Sequence, residues 1–116
     1  MKILGIGVDI VDNSRVAQSL KKKLFIKRIF SNSEILNAKK VRDKKSYYSK
    51  RFAAKEAFAK SIGIGFRDNL NFKDISIVNN KLGKPSFFIN KKIKTIIKKQ
   101  FKTSSFNFFL SISDEK

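Results

Sequence analysis

Residues 51–60, RFAAKEAFAK, place a carboxylate and a cation one helical turn apart, among alanines and phenylalanines, in a chain otherwise rich in lysine. These side chains are Glu56 and Lys60. On an exposed helix, such a pair does no more than stabilise the helix by about 0.3 kcal/mol. Apolar and small residues cover most of this helix, however, and a buried carboxylate needs more compensation than one mobile lysine. A divalent cation would provide that compensation.

A second carboxylate, Asp9, follows the two glycines in the N-terminal segment MKILGIGVDIVD. The alternation of apolar residues predicts a strand over residues 3–11, with Gly5, Gly7 and Asp9 on one face. Glycines inside a strand often mark the close approach of another backbone or of a ligand. Asp9 therefore projects from a face without large side chains, unless it simply ends the strand before a turn. Two carboxylates, one lysine and oxygen-only ligands fit Mg²⁺ beside a pyrophosphate.

The overall composition limits the other kinds of chemistry. The chain has 116 residues, which suits one domain spanning 1–116, and its formal net charge is +18. This charge favours an anionic partner, such as nucleic acid, a membrane surface, an acidic protein or a phosphorylated small molecule. An AT-rich genome would also enrich lysine, so only the sign of the charge is informative.

Cysteine and histidine are both absent. Their absence excludes thiolate and imidazole metal sites and any Ser-His-Asp arrangement, and it leaves a hard cation held by oxygen atoms. The N-terminus is too short and too soon acidic for a signal peptide, and no stretch reaches about 18 apolar residues. The composition therefore predicts a cytoplasmic protein.

Local signals along the chain predict a mixed α+β domain. Ser31 and Glu34 form a capping box, with Phe30 and Ile35 spaced as a hydrophobic staple. Three further helices are predicted: one from residues 12–14 to Leu24, a long buried helix from Ser46 to Ile62 ended by Gly63, and a basic helix around 91–99 with Ile93, Ile96 and Ile97 inward. Three further strands are predicted around Ile75–Ile77, around Phe87–Ile89 and over 106–113.

Three segments together resemble one enzyme family: GIGVDIVDNSRV, RFAAKEAFAKSIGIG and DISIVNNKLGKP. The resemblance is to the holo-[acyl-carrier-protein] synthases, the short phosphopantetheinyl transferases of bacterial lipid and fatty acid synthesis. It runs in register through residues 3–85 and continues more faintly to the end. It implies a small α+β domain with a long buried helix against an antiparallel sheet. It also implies transfer of 4′-phosphopantetheine from coenzyme A to a serine of an acidic apo acyl carrier protein, which releases adenosine 3′,5′-bisphosphate.

The resemblance assigns the central residues a role. Asp9 and Glu56 match the family's Mg²⁺ ligands, and Lys60 matches the lysine that contacts the pyrophosphate of coenzyme A. All three are predicted to be catalytic, and Glu56 is our candidate for the base that takes the serine proton, directly or through water.

Further residues are matched to the two substrates. Lys44 and Lys45 lie in a predicted connector where the family has basic residues near coenzyme A, although a solvated charge run explains them equally well. Arg51 and Gly63 are also assigned to coenzyme A, with a surface position as the alternative for Arg51. The residues matched to the carrier protein are Arg15, Phe25 and Arg28. The Gly83-Lys84-Pro85 motif is predicted to shape a turn that borders the site.

The C-terminal sequence departs from the family pattern. In FLSISDEK, Asp114 stands where the family has histidine, and the family's last strand is expected to be missing after Lys116. The resemblance also implies a homotrimer with each site between neighbouring subunits.

Two other classes of protein compete with this interpretation. A basic nucleic-acid-binding module is the main alternative, supported by the charge and the twelve phenylalanines. The sequence contains no RNP-like or helix-turn-helix signature, and such a module needs no acidic pair. A purely structural basic scaffold has no stronger support. We therefore predict an enzyme with no nucleic acid and no membrane among its partners.

Overall fold

The structure is a computed structural model that describes residues 2–9, 13–63 and 70–112. Five helices, a short 3₁₀ turn and a two-stranded sheet make up this part of the chain. In order, they are α1 (Asn13–Leu20), α2 (Lys23–Ile29), α3 (Asn32–Ala38), α4 (Lys44–Ile62), the 3₁₀ turn (Phe72–Asp74), β1 (Ile75–Asn79), β2 (Pro85–Ile89) and α5 (Lys91–Phe101).

The first predicted helix is two helices in the structure. α1 ends at Leu20 and α2 begins at Lys23, so the prediction of one helix reaching Leu24 is wrong. Leu24 is 80% exposed, whereas Val16 is buried. The i,i+4 spacing of these residues therefore did not define one continuous buried face, and the chain turns after Leu20.

The capping box at the start of α3 is present as predicted. The backbone N–H of Ser31 donates to Glu34 Oε1 over 2.9 Å, and the Ser31 side chain accepts from the Glu34 N–H. Phe30 is buried in an aromatic cluster, and Ile35 packs against the same cluster. The chain direction into α3 is therefore fixed by side chains close in sequence.

α4 is the central helix of the domain. Its N-cap is Asp43, whose carboxylate accepts from the Ser46 N–H over 3.0 Å, so the helix begins two residues earlier than predicted. It ends as predicted, with Gly63 in the left-handed conformation at φ 73°. The Gln100 side chain on α5 donates to the Ile62 carbonyl and holds this end of α4.

The hairpin forms as the sequence predicts. β1 and β2 pair antiparallel, with Ile75 opposite Ile89 and Ile77 opposite Phe87. α5 follows the hairpin. Ile93 and Ile97 are buried in an apolar cluster with the hairpin and α4, and Ile96 packs, partly buried, against that cluster. The predicted α+β class is confirmed.

α4 joins two apolar clusters. Its first half contributes Tyr47 and Tyr48 to a cluster with α2 and α3, and its second half contributes Phe58, Ala59 and Ile62 to a cluster with the hairpin and α5. The rotation of this helix is therefore fixed along its whole length by packing on both sides.

Two predicted strands are not seen in the described residues. Residues 2–9 and 104–112 are irregular, and β1 and β2 pair with each other. The glycines of the N-terminal segment face α4, and Ile6 and Val8 are exposed. The segment therefore packs on a helix, whereas the sequence predicted that it would be a strand. Ile10 and Asp114 lie outside the described residues. Within the described parts of the chain, no helix has the length and apolar character needed to cross a membrane.

Candidate active site

The N-terminal segment lies directly on the backbone of α4. A Cβ atom added to Gly5 would lie 1.8 Å from the carbonyl oxygen of Ser61, and one added to Gly7 would lie 1.8 Å from that of Ala57. No side chain fits in either place. The close backbone approach predicted from the two glycines is therefore observed, and the segment runs opposite to the helix direction.

This packing delivers Asp9 to α4. Lys60 Nζ lies 2.6 Å from Asp9 Oδ1, and the same ammonium donates to the Val8 carbonyl oxygen over 3.3 Å. The Asp9 side chain is 14% exposed and that of Lys60 is 53% exposed. The hydrogen bond to Asp9 raises the pKa of Lys60 above its ordinary value of 10.5, so the side chain is a cation.

Glu56 belongs to the same group of charges. Partial burial of its carboxyl raises the pKa of Glu56 above the ordinary 4.5, and the negative charge of Asp9 raises it further. The positive charge of Lys60 opposes both effects. The structure therefore brings together the three residues that the sequence assigned to one site, Asp9, Glu56 and Lys60.

The chemistry of the three side chains suits a hard cation and a phosphate. Two neighbouring carboxylates repel each other, and a divalent cation that contacts an oxygen of each one would stabilise them. The described residues contain no group of three or more acidic, histidine or cysteine side chains, so a cation here needs further ligands from elsewhere. Much of the Lys60 side chain is exposed, so an anionic ligand can reach it.

A buried ion pair holds α4 one residue before Glu56. Lys55 Nζ lies 2.7 Å from Glu34 Oε1, and both side chains are 0% exposed. Lys55 also donates to the Phe72 carbonyl oxygen over 3.0 Å and to the Ile75 carbonyl oxygen. Glu34 Oε2 accepts from the Ile77 N–H over 3.2 Å. This network ties α3, α4 and β1 together.

This pair was not predicted from the sequence. A signal for the burial of Lys55 was present, because Lys55 lies on the helix face of Phe58, Ala59 and Ile62 rather than on a charged face. Burial outweighs the charge of Glu34 and lowers the pKa of Lys55 below its ordinary value. The ammonium nevertheless has a full set of acceptors, since each of its three N–H groups has one.

The residues predicted to contact coenzyme A lie in different settings. Lys44 and Lys45 are exposed and belong to the first turn of α4, so their placement in a connector is wrong. Lys44 Nζ donates to the Val41 carbonyl oxygen over 3.2 Å. Arg51 is buried, which excludes the surface alternative. Gly63 is exposed at the end of α4, one turn beyond Lys60.

The residues matched to the carrier protein lie on two helices. Arg15 on α1 and Arg28 on α2 are exposed. Phe25 is half-buried, with its ring centroid 6.5 Å from that of Phe30 and 6.2 Å from that of Phe52. Phe25 therefore supports the aromatic cluster as well as presenting one side to solvent.

A large cavity borders the N-terminal segment that carries Asp9. It measures about 1620 Å³ and lies between residues 2–9, α4 and residues 101–112. Asp9 borders it, whereas Glu56 and Lys60 are not among its lining residues. Its walls are mainly apolar, with Lys2, Lys50 and Lys102 also among the lining residues.

The family model for the 4′-phosphopantetheinyl transferase superfamily matches residues 5–110. Among curated proteins, the holo-[acyl-carrier-protein] synthase of Pelagibacter ubique is 73% identical over 116 residues, which cover 100% of this chain and 91% of that protein. The protein of the same name from Ruthia magnifica is 40% identical, with 98% and 89% covered.

Solved structures give the same result. The holo-[acyl-carrier-protein] synthase of Neisseria meningitidis is similar with a TM-score of 0.89 and 38% identity, covering 99% of this chain and 91% of that one. The Helicobacter pylori enzyme, solved in complex with coenzyme A, has a TM-score of 0.71 and 34% identity, with 79% of each chain covered.

These comparisons confirm the predicted resemblance, the fold and the enzyme class, and they do not favour the nucleic-acid-binding alternative. The chain belongs to the 4′-phosphopantetheinyl transferase superfamily and, within it, to the family of holo-[acyl-carrier-protein] synthases.

Proposed function

We propose that the chain transfers 4′-phosphopantetheine from coenzyme A to a serine of an apo acyl carrier protein, with Asp9, Glu56 and Lys60 at the reacting centre. The observation that carries this proposal is the 2.6 Å contact between Lys60 and Asp9, which are 51 residues apart in sequence. Glu56 belongs to the same group of charges, and its pKa is raised by partial burial and by the charge of Asp9. A site that serves only to stabilise the helix has no use for the second carboxylate.

The proposed metal is Mg²⁺, held by Asp9 and Glu56. The fit rests on the donor set, because both side chains offer hard oxygen atoms. Partial burial raises the pKa of Glu56, and the negative charge of Asp9 raises it further. Mg²⁺, when bound, supplies positive charge that polarises the phosphoryl oxygens. Phosphate oxygens of the substrate and water are the expected remaining ligands.

The chain's own side chains perform the other tasks. The serine oxygen forms a bond to the β-phosphorus of coenzyme A, while the bond from that phosphorus to the bridging oxygen breaks and adenosine 3′,5′-bisphosphate leaves. Lys60 stabilises negative charge on the transferred and leaving oxygens. Glu56 accepts the serine proton, directly or through water. Positioning of the two substrates supplies much of the remaining rate enhancement.

The proposed contacts with each substrate are the residues that the resemblance assigns to it. Lys44, Lys45, Arg51 and Gly63 are the proposed residues for coenzyme A. Arg15, Phe25 and Arg28 are the proposed contacts for the acidic carrier protein. Two exposed arginines facing an acidic helix would speed encounter and weaken as salt is added.

We also propose that the protein is a homotrimer. Ile6, Val8 and Phe109 are each more than 70% exposed, as expected of side chains that a second subunit covers. The large apolar cavity beside these segments gives a neighbouring subunit further surface to fill. The cytoplasmic location stays a prediction from the composition.

The test of the function is a mass measurement on apo acyl carrier protein incubated with the enzyme, coenzyme A and Mg²⁺. We expect the mass to increase by one phosphopantetheine group. Asp9→Asn and Glu56→Gln should each slow the reaction about 100-fold or more. Each variant removes a proposed ligand of Mg²⁺, whose positive charge would stabilise the transition state.

Asp43→Asn is the matched control. Asp43 is an exposed carboxylate at the N-cap of α4, about 20 Å along the helix from Glu56, and asparagine caps equally well. This variant should keep the wild-type rate. No mass increase with the wild-type protein would contradict the proposed function, whereas normal rates for Asp9→Asn or Glu56→Gln would contradict the assigned site.

A further inference from the structure

We propose that Asn79 is a positioning residue for coenzyme A, because it holds the buried guanidinium of Arg51 against the turn of residues 80–84. This inference rests on the proposed function, since it is the nucleotide half of coenzyme A that Arg51 would meet. Asn79 is not among the residues assigned from the sequence.

The setting of Arg51 is unusual for a cation. The residue is 8% exposed, and no carboxylate in the described residues lies within ion-pair distance of it. Its guanidinium carbon lies 3.6 Å from the centre of the Tyr47 ring, and Nη1 donates to the Tyr47 carbonyl oxygen over 3.4 Å. Nε has no partner in the described part of the chain. A buried cation without an anion is costly, and a bound anion would remove that cost.

Asn79 makes the shortest contact with this guanidinium. Arg51 Nη2 donates to Asn79 Oδ1 over 2.7 Å. The other end of the same amide, Nδ2, donates to the Gly83 carbonyl oxygen over 3.0 Å. Because guanidinium only donates and a carbonyl only accepts, the two partners allow a single orientation of the amide. Asn79 therefore connects Arg51 to the turn.

The turn is itself well fixed. Asn80 Oδ1 accepts from the backbone N–H groups of Leu82 and Lys84, each over 2.9 Å, and the Asn80 N–H donates to the Lys84 carbonyl oxygen over 3.0 Å. Gly83 adopts φ 84°, which favours glycine. A rigid turn gives Asn79 a firm support on which to orient Arg51. This turn contains Gly83 and Lys84 of the Gly83-Lys84-Pro85 motif predicted to border the site.

A cavity of about 130 Å³ lies at this junction. Its lining includes Lys50, Arg51, Asn79, Gly83 and Pro85. This volume is about four times the ~30 Å³ that a water molecule occupies in the liquid, which suits a small anionic group better than a whole nucleotide. Two of the lining side chains carry positive charge. The junction is therefore suited to one phosphate of the nucleotide half.

The experiment is a double-mutant cycle on nucleotide binding. Adenosine 3′,5′-bisphosphate is titrated by calorimetry into wild-type protein, Asn79→Ala, Arg51→Ala and the double variant. We expect Asn79→Ala to weaken binding about tenfold, because it removes a hydrogen bond to a charged group. In the Arg51→Ala background, the same change should have almost no effect. Asn79→Asp should also weaken binding, since a carboxylate would neutralise Arg51.

Kinetics separate positioning from a general loss of structure. Asn79→Ala should raise the KM for coenzyme A about tenfold, with kcat and the KM for the carrier protein retained. Asn37→Ala, at an exposed position on α3, is the control and should match the wild type. Wild-type affinity in Asn79→Ala, or an equal loss in both backgrounds, would overturn the inference. A wild-type protein without transferase activity would instead overturn the proposed function.

Discussion

Two lysine–carboxylate pairs lie five residues apart on α4, and they differ in almost everything except distance. Lys55 lies 2.7 Å from Glu34, and Lys60 lies 2.6 Å from Asp9. Both side chains of the first pair are fully buried, whereas Lys60 is 53% exposed. A short distance between opposite charges therefore says little about the role of the pair.

The difference lies in the remaining hydrogen-bonding capacity. Every N–H of the Lys55 ammonium has an acceptor, so this cation has nothing left to offer a ligand. Lys60 donates to two oxygens in the described residues, and its pair has Glu56 as a further charged neighbour. The buried pair stabilises α4, and the exposed pair is available for binding and chemistry.

The largest expected effect is on stability at the buried pair. Lys55→Met should lower the free energy of unfolding by about 3–5 kcal/mol, because it leaves the Glu34 carboxylate buried without its cation. Urea unfolding followed by circular dichroism measures this. Lys60→Met is the matched control and should change the free energy of unfolding far less. Equal losses in the two variants would remove the distinction between the pairs.

A double variant sharpens the same contrast. Lys55→Met combined with Glu34→Gln should recover part of the stability lost in Lys55→Met, because the buried charge is gone and the amide oxygen can still accept from one of the two backbone N–H groups that Glu34 contacts. If the double variant is as unstable as the sum of the two single variants, the residues do not act as a pair.

The next effect is on ligand binding at the exposed pair. Lys60→Ala should weaken coenzyme A binding about tenfold, since it removes a charged hydrogen-bond donor to the phosphates. The affinity for apo carrier protein should change much less. Calorimetric titrations with each substrate compare the two. An equal loss for both substrates would contradict the phosphate role of Lys60.

The smallest effect is on the titration of Glu56. Its pKa, raised by burial and by Asp9, should fall towards 4.5 in Asp9→Asn and rise in Lys60→Ala. Carboxyl ¹³C NMR in the presence of a chelator measures these shifts. An unchanged Glu56 pKa in Asp9→Asn would show that the two carboxylates do not share one site.

The same pKa has a consequence for stability. A carboxyl group whose pKa is raised by folding destabilises the folded state when it is ionised, and this cost is lost as the pH falls through the raised pKa. Glu56→Gln should therefore be the more stable protein at neutral pH in the presence of a chelator. The advantage should shrink as the pH is lowered towards 4.5. An advantage that does not vary with pH would mean that ionisation of Glu56 is not its cause.

Local signals predicted the elements whose ends are fixed by neighbouring residues. The capping box of Ser31 and Glu34, the end of α4 at Gly63 and the hairpin all form as expected. The two glycines also predicted the close approach that places Asp9 at α4. The approach of the Asp9 segment to α4 could therefore be predicted from spacing, and the roles of Asp9, Glu56 and Lys60 stay predictions from the resemblance.

Features set by distant contacts were missed. Lys55 meets Glu34, 21 residues away, and Arg51 meets Asn79, 28 residues away. The apolar helix face that contains Lys55 indicated burial of its side chain, but no local pattern in the sequence identifies Glu34 or Asn79 as the distant partner. The alternation in residues 2–9 suggested a strand for the same reason, because periodicity does not show whether a segment meets a sheet or a helix.

The central claim is that Asp9 and Glu56 share one divalent cation. The most direct measurement is a calorimetric titration of Mg²⁺ into the protein with saturating coenzyme A, for wild type, Asp9→Asn, Glu56→Gln and the Asp43→Asn control. We predict one site in the wild type and the control, and a loss of at least about tenfold in affinity in each of the other two variants. Wild-type Mg²⁺ affinity in either Asp9→Asn or Glu56→Gln would contradict the claim.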